Sequence, residues 1–337
     1  MKILIIGDQH HRSELPYSSL IEDGRVSEWK YAKEFMYEQS VGCDAVVLLG
    51  DNLNSRNNSS SVLNDFVEFL KGFNGVPIHC ISGNHERSGN TTAIDFLGKL
   101  NIPNISIYTE PTNATIGDLK VSFLPYMTPG SLGVSTLEEA TNKVVDSVND
   151  GYALFHHHIM EGTKLAGADL SEMNEIVLPT AKLEKKFDLI IGGHIHKSDF
   201  LTDKSLITGS VITQEIGEHE KFIFMLDTRV GTPQAIKLPL RGIYKVIWEE
   251  LPVNHKIPSN SIVKIYVQSR DTDIERVKQF SKLFDASMII EQYPNDREKV
   301  NIEETSIDTN IESLICVYAK AKNIDEKDLL DGLNLIK

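Results

Sequence analysis

Basic residues are scarce in this 337-residue chain: 34 Lys and Arg stand against 48 Asp and Glu, for a net charge of −14. Bulk attraction to a polyanion is therefore excluded as a source of affinity, and charge alone argues against nucleic-acid binding. Cysteine is nearly absent. Cys43, Cys80 and Cys316 stand apart with no CxxC pair, which excludes a disulfide framework and points to a reducing, cytoplasmic setting. No stretch approaches the ~20 apolar residues that span a bilayer, so no membrane partner is expected. The apolar opening Met1–Ile6 stops at Gly7-Asp8, short of the ~7–15-residue core of a secretory signal, and reads as a buried strand. Internal repeats and low-complexity tracts are also missing. What remains is a globular composition, 41% hydrophobic and 24% charged, with enough length for a large core and a smaller appended unit.

Short apolar runs recur at 3–6, 45–49, 76–81, 121–124, 152–155 and 189–191, each too short for a helix and ending in polar residues. Between them lie helical stripes: Val62, Leu63, Phe66, Val67 and Leu70 behind the start signal Ser59–Ser61, and Ala140, Val144, Val145 and Val148. The alternation predicts an α/β layer structure over residues 1–240. Beyond it, strand-like 243–248 and 262–267, a helix bearing Ile274, Val277, Phe280 and Phe284, and an apolar 288–290 run predict a second, β-β-α-β domain over 241–297. Residues 298–337 read as a polar linker and a helical hairpin, with Leu329, Leu330, Leu333 and Ile336 on its second helix.

The chemistry sits just past the strands. Asp8, His10 and His11 follow the first, Asp51 the second, Asn84 and His85 the third, His156–His158 a later one, and His194 and His196 the last; eight of the eleven histidines fall in these clusters. Residues beyond the carboxyl ends of strands converge on one crevice in an α/β sheet. Carboxylates, imidazoles and one amide oxygen, with no thiolate, suit Mn²⁺, Fe²⁺ or Zn²⁺ in a hydrolytic site. Gly7, Gly50, Gly83 and Gly193 each stand immediately before one of these residues, where the chain must turn tightly.

Asp8-Gln9-His10, Gly50-Asp51-Asn52, Gly83-Asn84-His85-Glu86, His156-His157-His158 and Gly193-His194-Ile195-His196 resemble, in order, the five signatures of the calcineurin-like metallophosphoesterases. The resemblance implies a β-sandwich flanked by helices, with a small capping domain and a C-terminal helical hairpin. It also implies two divalent metal ions, with Mn²⁺ favoured and Mg²⁺, Fe²⁺ or Zn²⁺ as alternatives. One ion would lie on Asp8, His10 and His196, the other on Asn84, one histidine of the triplet and His194, with Asp51 bridging. Counting back from Gly162 selects His157 from the triplet, with His156 as the alternative. His85 resembles the family's catalytic histidine, which is not a ligand but stabilises the transition state or protonates the leaving oxygen.

Within that superfamily, the early Met-Lys-Ile-Leu, the β-β-α-β unit, the helical tail and the tract Leu206-Ile207-Thr208-Gly209-Ser210 with Gly217-Glu218 resemble the SbcD family of recombination nucleases, most closely its phage members. That resemblance implies an exonuclease and single-strand endonuclease on DNA, working in recombination and repair. Its implied partners are an SbcC-type coiled-coil ATPase docked by residues 311–337 and a second copy of the chain, met through the Val62–Leu70 helix or residues 93–100. A small-molecule phosphodiesterase, a protein phosphatase and an idle scaffold of the same fold are the rival readings, and the intact motifs oppose the last. Arg12, Arg56, Arg87, Lys164 and Lys197 stand near the ligand loops and are candidate DNA-phosphate contacts. Two divalent ions would also add four positive charges where phosphate binds, which makes the global charge a poor guide to the local field.

Overall fold

A computed structural model describes residues 1–100, 102–164, 174–218, 220–251 and 257–292. Two six-stranded sheets lie face to face. In the first, Lys2–Ile6, Ala45–Leu48, Ile78–Ile81 and Ile105–Tyr108 run parallel, with Phe222–Asp227 and Gln234–Lys237 added antiparallel at one edge. In the second, Ser205–Ile207, Phe187–Gly192, Gly151–His156 and Leu119–Leu124 form the parallel centre, flanked antiparallel by Asp199–Phe200 and Thr112–Ile116.

Strand alternation decides which core each side chain enters. Ile3, Ile5, Ala45 and Val47 face Val121, Phe123, Ala153, Phe155, Leu189 and Ile191 in the layer between the sheets. Leu4, Ile6, Val46 and Leu48 point the other way, into a core closed by the helices Val26–Ser40 and Ser60–Lys71. The helix Leu137–Ser147 covers the outer face of the second sheet through Ala140, Val144 and Val145. Both predicted helices carry the caps their sequences offer: Ser59 accepts from the Val62 N–H, and Thr136 forms a capping box with Glu139. The result is a helix-flanked sandwich in mixed α/β arrangement.

The stripe Val62, Phe66, Phe69 and Leu70 is buried in the chain's own core. The helix Val26–Ser40 went unpredicted, because its sequence alternates charged and apolar residues without a clean stripe.

Downstream, the parallel strands Ile243–Ile247, Ile262–Val267 and Ala286–Glu291, with the helix Ile274–Ser281, form a three-stranded unit with its own core of Val246, Val263, Ile265, Val267 and Val277. Its opposite face sets Ile243, Ile262 and Ala286 against Tyr17, Leu20, Ile21 and Ile216 of the sandwich. An ion cluster reinforces this joint: buried Arg25 pairs with Glu28 at 2.8 Å, and the more exposed Arg241 reaches both Glu28 (3.6 Å) and Asp285 (3.3 Å). The expected linker and helical hairpin at 298–337 lie outside the described residues. Among the described residues no helix is long and apolar enough to cross a membrane.

Candidate metal centre

The strands Lys2–Ile6, Ala45–Leu48, Ile78–Ile81, Gly151–His156 and Phe187–Gly192 deliver Asp8, His10, Asp51, Asn84, His85, His157, His194 and His196 to one place at the edge of the sandwich. The backbone is held unusually there. His10, Asp51 and His194 adopt positive φ (49°, 44° and 79°), a region that non-glycine residues enter at a cost of about 1–3 kcal/mol. Close approach explains two of the glycines. A Cβ on Gly83 would strike the Asp51 carboxylate, and one on Gly50 would strike the His157 ring.

Three sets of donor atoms converge: Asp8, His10 and His196; His10, Asp51 and His85; and Asp8, Asp51 and His157. His10 Nε2 lies 3.0 Å from His196 Nε2 and 3.7 Å from Asp51 Oδ2. On the other side, Asn84 Oδ1 lies 3.0 Å from His157 Nε2 and 2.9 Å from His194 Nδ1, while His157 Nε2 is 3.4 Å from Asp51 Oδ1. Asp51 thus touches both halves.

Burial sets the electrostatics. Asp8 is pushed up to about 8 by loss of solvent, which the nearby His157 only partly offsets and Asp51 aggravates. At Asp51 burial works in the same direction but is outweighed by His157, His10 and His85, which hold its carboxyl below the usual range. His157 moves up to about 9, because Asp51 and Asp8 prevail over burial. Burial holds His10 well below its ordinary value and brings His196 down to about 4.

This donor set fits a pair of divalent cations. Two buried carboxylates and facing imidazole nitrogens need positive charge between them, and the glycines keep the space open. Asp8, His10 and His196 would hold one ion, Asn84, His157 and His194 the other, with Asp51 shared.

The histidine triplet divides by geometry. His157 Nδ1–H donates to the Leu49 carbonyl (2.5 Å), which turns Nε2 into the cluster. His156 and His158 are fully buried elsewhere. His156 Nδ1 accepts from the His158 N–H at 3.2 Å, and His158 Nε2 lies 3.1 Å from the Pro125 carbonyl. Burial brings His156 down to about 3, so it stays a neutral core residue.

His85 stands at the mouth, 39% exposed, with Nε2 3.8 Å from Asp51 Oδ2. Its Nδ1–H donates to the Asn54 carbonyl (2.9 Å), and its main-chain N–H to Asp51 Oδ1 (2.9 Å). The Asn54 loop is itself fixed. Asn54 N–H donates to the His11 carbonyl (3.1 Å), and buried Glu86 accepts from Leu53 N–H (2.8 Å) and Gly83 N–H (2.7 Å).

A profile of the calcineurin-like phosphoesterases matches residues 1–198. The chain belongs to that family. Among its relatives, Putative phosphoesterase 244L of Invertebrate iridescent virus 6 is 26% identical over 234 residues, 65% of this chain and 73% of that protein. Two solved structures also align. An archaeal phosphodiesterase covers 71% of this chain and 100% of its own at 17% identity and a TM-score of 0.36. TT1561 of Thermus thermophilus covers 70% and 98% at 13% identity and a TM-score of 0.42. Neither structural likeness bears on activity. As a calcineurin-like phosphoesterase the chain is a metal-dependent phosphoester hydrolase.

The five basic candidates differ in exposure. Arg87 is 8% exposed and directs its guanidinium inside the chain, onto the Thr109 carbonyl (2.6 Å) and Met127 Sδ (3.5 Å). Arg12 donates to Gln214 (2.5 Å) and to the His10 carbonyl (3.2 Å). Arg56, Lys164 and Lys197 are exposed, and Lys164 and Lys197 share one small cavity with Thr163 and Ile195. Sequence reasoning missed Tyr126, whose ring lies 5.8 Å from that of His194, and Glu175, whose Oε2 lies 3.0 Å from His194 Nε2. An isolated Tyr or Glu outside the motifs carries no pattern that would have marked it.

Proposed function

We propose that this calcineurin-like phosphoesterase is a two-metal phosphodiesterase acting on DNA, the nuclease subunit of an end-processing complex with a coiled-coil ATPase. The observation that carries the phosphodiester chemistry is Asp51. One buried carboxylate lies against His10 and His85 on one side and His157 on the other, the arrangement a bridging ligand requires. When bound, two divalent ions there would supply charge to the phosphoryl oxygens and bring a water toward ionisation near neutral pH.

The chain's own residues do the rest. His85 presents Nε2 at the mouth because Asn54 occupies Nδ1, and so is placed to hand a proton to the leaving oxygen. Glu86 and His11 keep the Asn54 carbonyl, and through it the His85 ring, in register. The DNA reading is supported by the three-stranded unit seated beside the site on Tyr17, Leu20, Ile21 and Ile216, and by exposed Lys164 and Lys197 next to the last ligand loop. Because the chain carries a net charge of −14, it should hold DNA weakly alone and need a partner for affinity.

The test is direct. Full-length protein with Mn²⁺ should hydrolyse bis-p-nitrophenyl phosphate and single-stranded DNA, and duplex ends when its ATPase is present. Hydrolysis of the small diester with no cleavage of any DNA, ATPase included, would sink the nuclease reading and leave a small-molecule phosphodiesterase.

A further inference from the structure

Asp8, His10 and His196, the ligands proposed for one ion, come from opposite ends of the phosphoesterase sequence, yet one connected set of hydrogen bonds holds the main chain of all three. Ser210 N–H donates to the His196 carbonyl (3.1 Å) and Val211 N–H to the Asp8 carbonyl (2.9 Å). Arg12 Nε–H donates to the His10 carbonyl (3.2 Å), and the same guanidinium reaches Gln214 Oε1 (2.5 Å). His10 stands at a φ of 49°, so a bond on its carbonyl helps hold a conformation that costs energy. The bonds named here all end on ligands of one ion, and none of them reaches Asn84, His157 or His194.

Lys221 ties this set together. It is 4% exposed and immediately precedes the strand Phe222–Asp227, which pairs with Lys2–Ile6 in the first sheet. An ammonium has three donors, and here each meets an oxygen: the His196 carbonyl (3.0 Å), Ser210 Oγ (2.7 Å) and Glu218 Oε2 (2.8 Å). Glu218 Oε2 also accepts from the Gln214 N–H (2.7 Å), so the carboxylate that neutralises Lys221 fixes the residue that holds Arg12. A charge is buried at little cost only when it is paired and its hydrogen bonds are made, and both conditions are met here.

We infer that Lys221 is a positioning residue for one ion of the pair: by fixing Ser210, Glu218 and the His196 carbonyl, it holds the main chain of Asp8, His10 and His196 in place before a cation arrives. Lys221 offers no donor to the ion. Its effect runs through hydrogen bonds to the main chain, and ligands already in place lose less conformational freedom on binding. Its positive charge alone would oppose a cation beside Asp8, and the contact with Glu218 offsets that charge. The ion held by Asn84, His157 and His194 lies outside this set of bonds and should depend on Lys221 far less. This inference rests on the two-metal reading above.

The test is a Mn²⁺ titration of the full chain, followed by calorimetry and by the electron paramagnetic resonance of bound Mn²⁺. Wild type should bind two ions. Lys221→Met keeps the stem and removes the ammonium, and it should weaken one ion by about 10–100-fold while leaving the other near its wild-type affinity. Ser210→Ala removes one acceptor of the ammonium and should weaken the same ion to a lesser degree, a readout that stands even where Lys221→Met fails to fold. Backgrounds that keep a single ion identify the half affected. Added to His157→Ala, Lys221→Met should weaken the ion that remains; added to His196→Ala, it should leave the remaining ion unchanged. Wild-type affinities in both Lys221→Met and Ser210→Ala, or equal weakening of the two ions, would overturn the inference while the two-metal reading stands. A wild-type chain that binds no Mn²⁺ would remove that reading and this inference with it.

Discussion

His10 and His196, 186 residues apart in sequence, face each other through their Nε2 atoms at 3.0 Å, with Asp8 Oδ2 4.0 Å from the second of them. At most one proton can lie between the two nitrogens, so the site gains most from a cation. Metal should therefore stabilise the fold. With Mn²⁺ at 100 times its dissociation constant, each site adds about 2.7 kcal/mol, which chelation by EDTA should remove. Thermal unfolding with and without chelator checks this; an unchanged midpoint would contradict it.

His85→Ala removes the group at the mouth without removing a proposed ligand. Turnover should fall by about 10²–10⁴-fold while both ions stay bound. Metal analysis beside activity decides, and loss of an ion would move His85 into the ligand set.

The triplet offers an internal contrast. His157→Ala should abolish binding of one ion. His156→Ala leaves a cavity against Gly192 and should cost about 2–4 kcal/mol of stability with metal binding retained. Urea unfolding and Mn²⁺ titration of the pair separate the two outcomes.

Gly83→Ala tests the room the centre needs. Its new Cβ would press on the Asp51 carboxylate and on the Asp51 main-chain nitrogen. Both ions should weaken together, because Asp51 is shared, although residue 83 carries no donor. An unchanged titration would show that Asp51 is not the bridge.

Away from the metals, Asp65 gives a pH signature. Burial raises its carboxyl, but hydrogen bonds from His11 (2.8 Å) and Lys33 (2.5 Å) prevail and hold it below the usual range. A depressed carboxyl contributes stability above its unfolded value, roughly 3.9, and loses it as pH falls further. With its side chain 36% exposed, the contribution is about 1–2 kcal/mol. In EDTA, the stability gap between wild type and Asp65→Asn should be constant from pH 7 to 5 and shrink below about pH 4.

Much of the fold was legible because a buried parallel strand announces itself as a short Val/Ile run. The polar residues just past those runs were legible as a site because a sheet brings its strand ends together. Less visible was the helix Val26–Ser40, whose face is mixed, and the division of the strands into two sheets, which depends on pairing rather than on local pattern. Arg87 shows the limit on the site itself. A basic residue beside Asn84-His85 reads as a phosphate contact, yet its burial against Thr109 and Met127 is fixed by contacts 22 and 40 positions away. Glu175 was hidden for the same reason: its place 3.0 Å from His194 Nε2 is set by the fold and not by any local pattern.

A pair of ions joined by Asp51 is the central claim, and anomalous diffraction from Mn²⁺-loaded crystals measures it most directly. Two peaks about 3.5–4 Å apart, both within bonding distance of Asp51, are the predicted result. A single peak, or two that do not share Asp51, would contradict the claim.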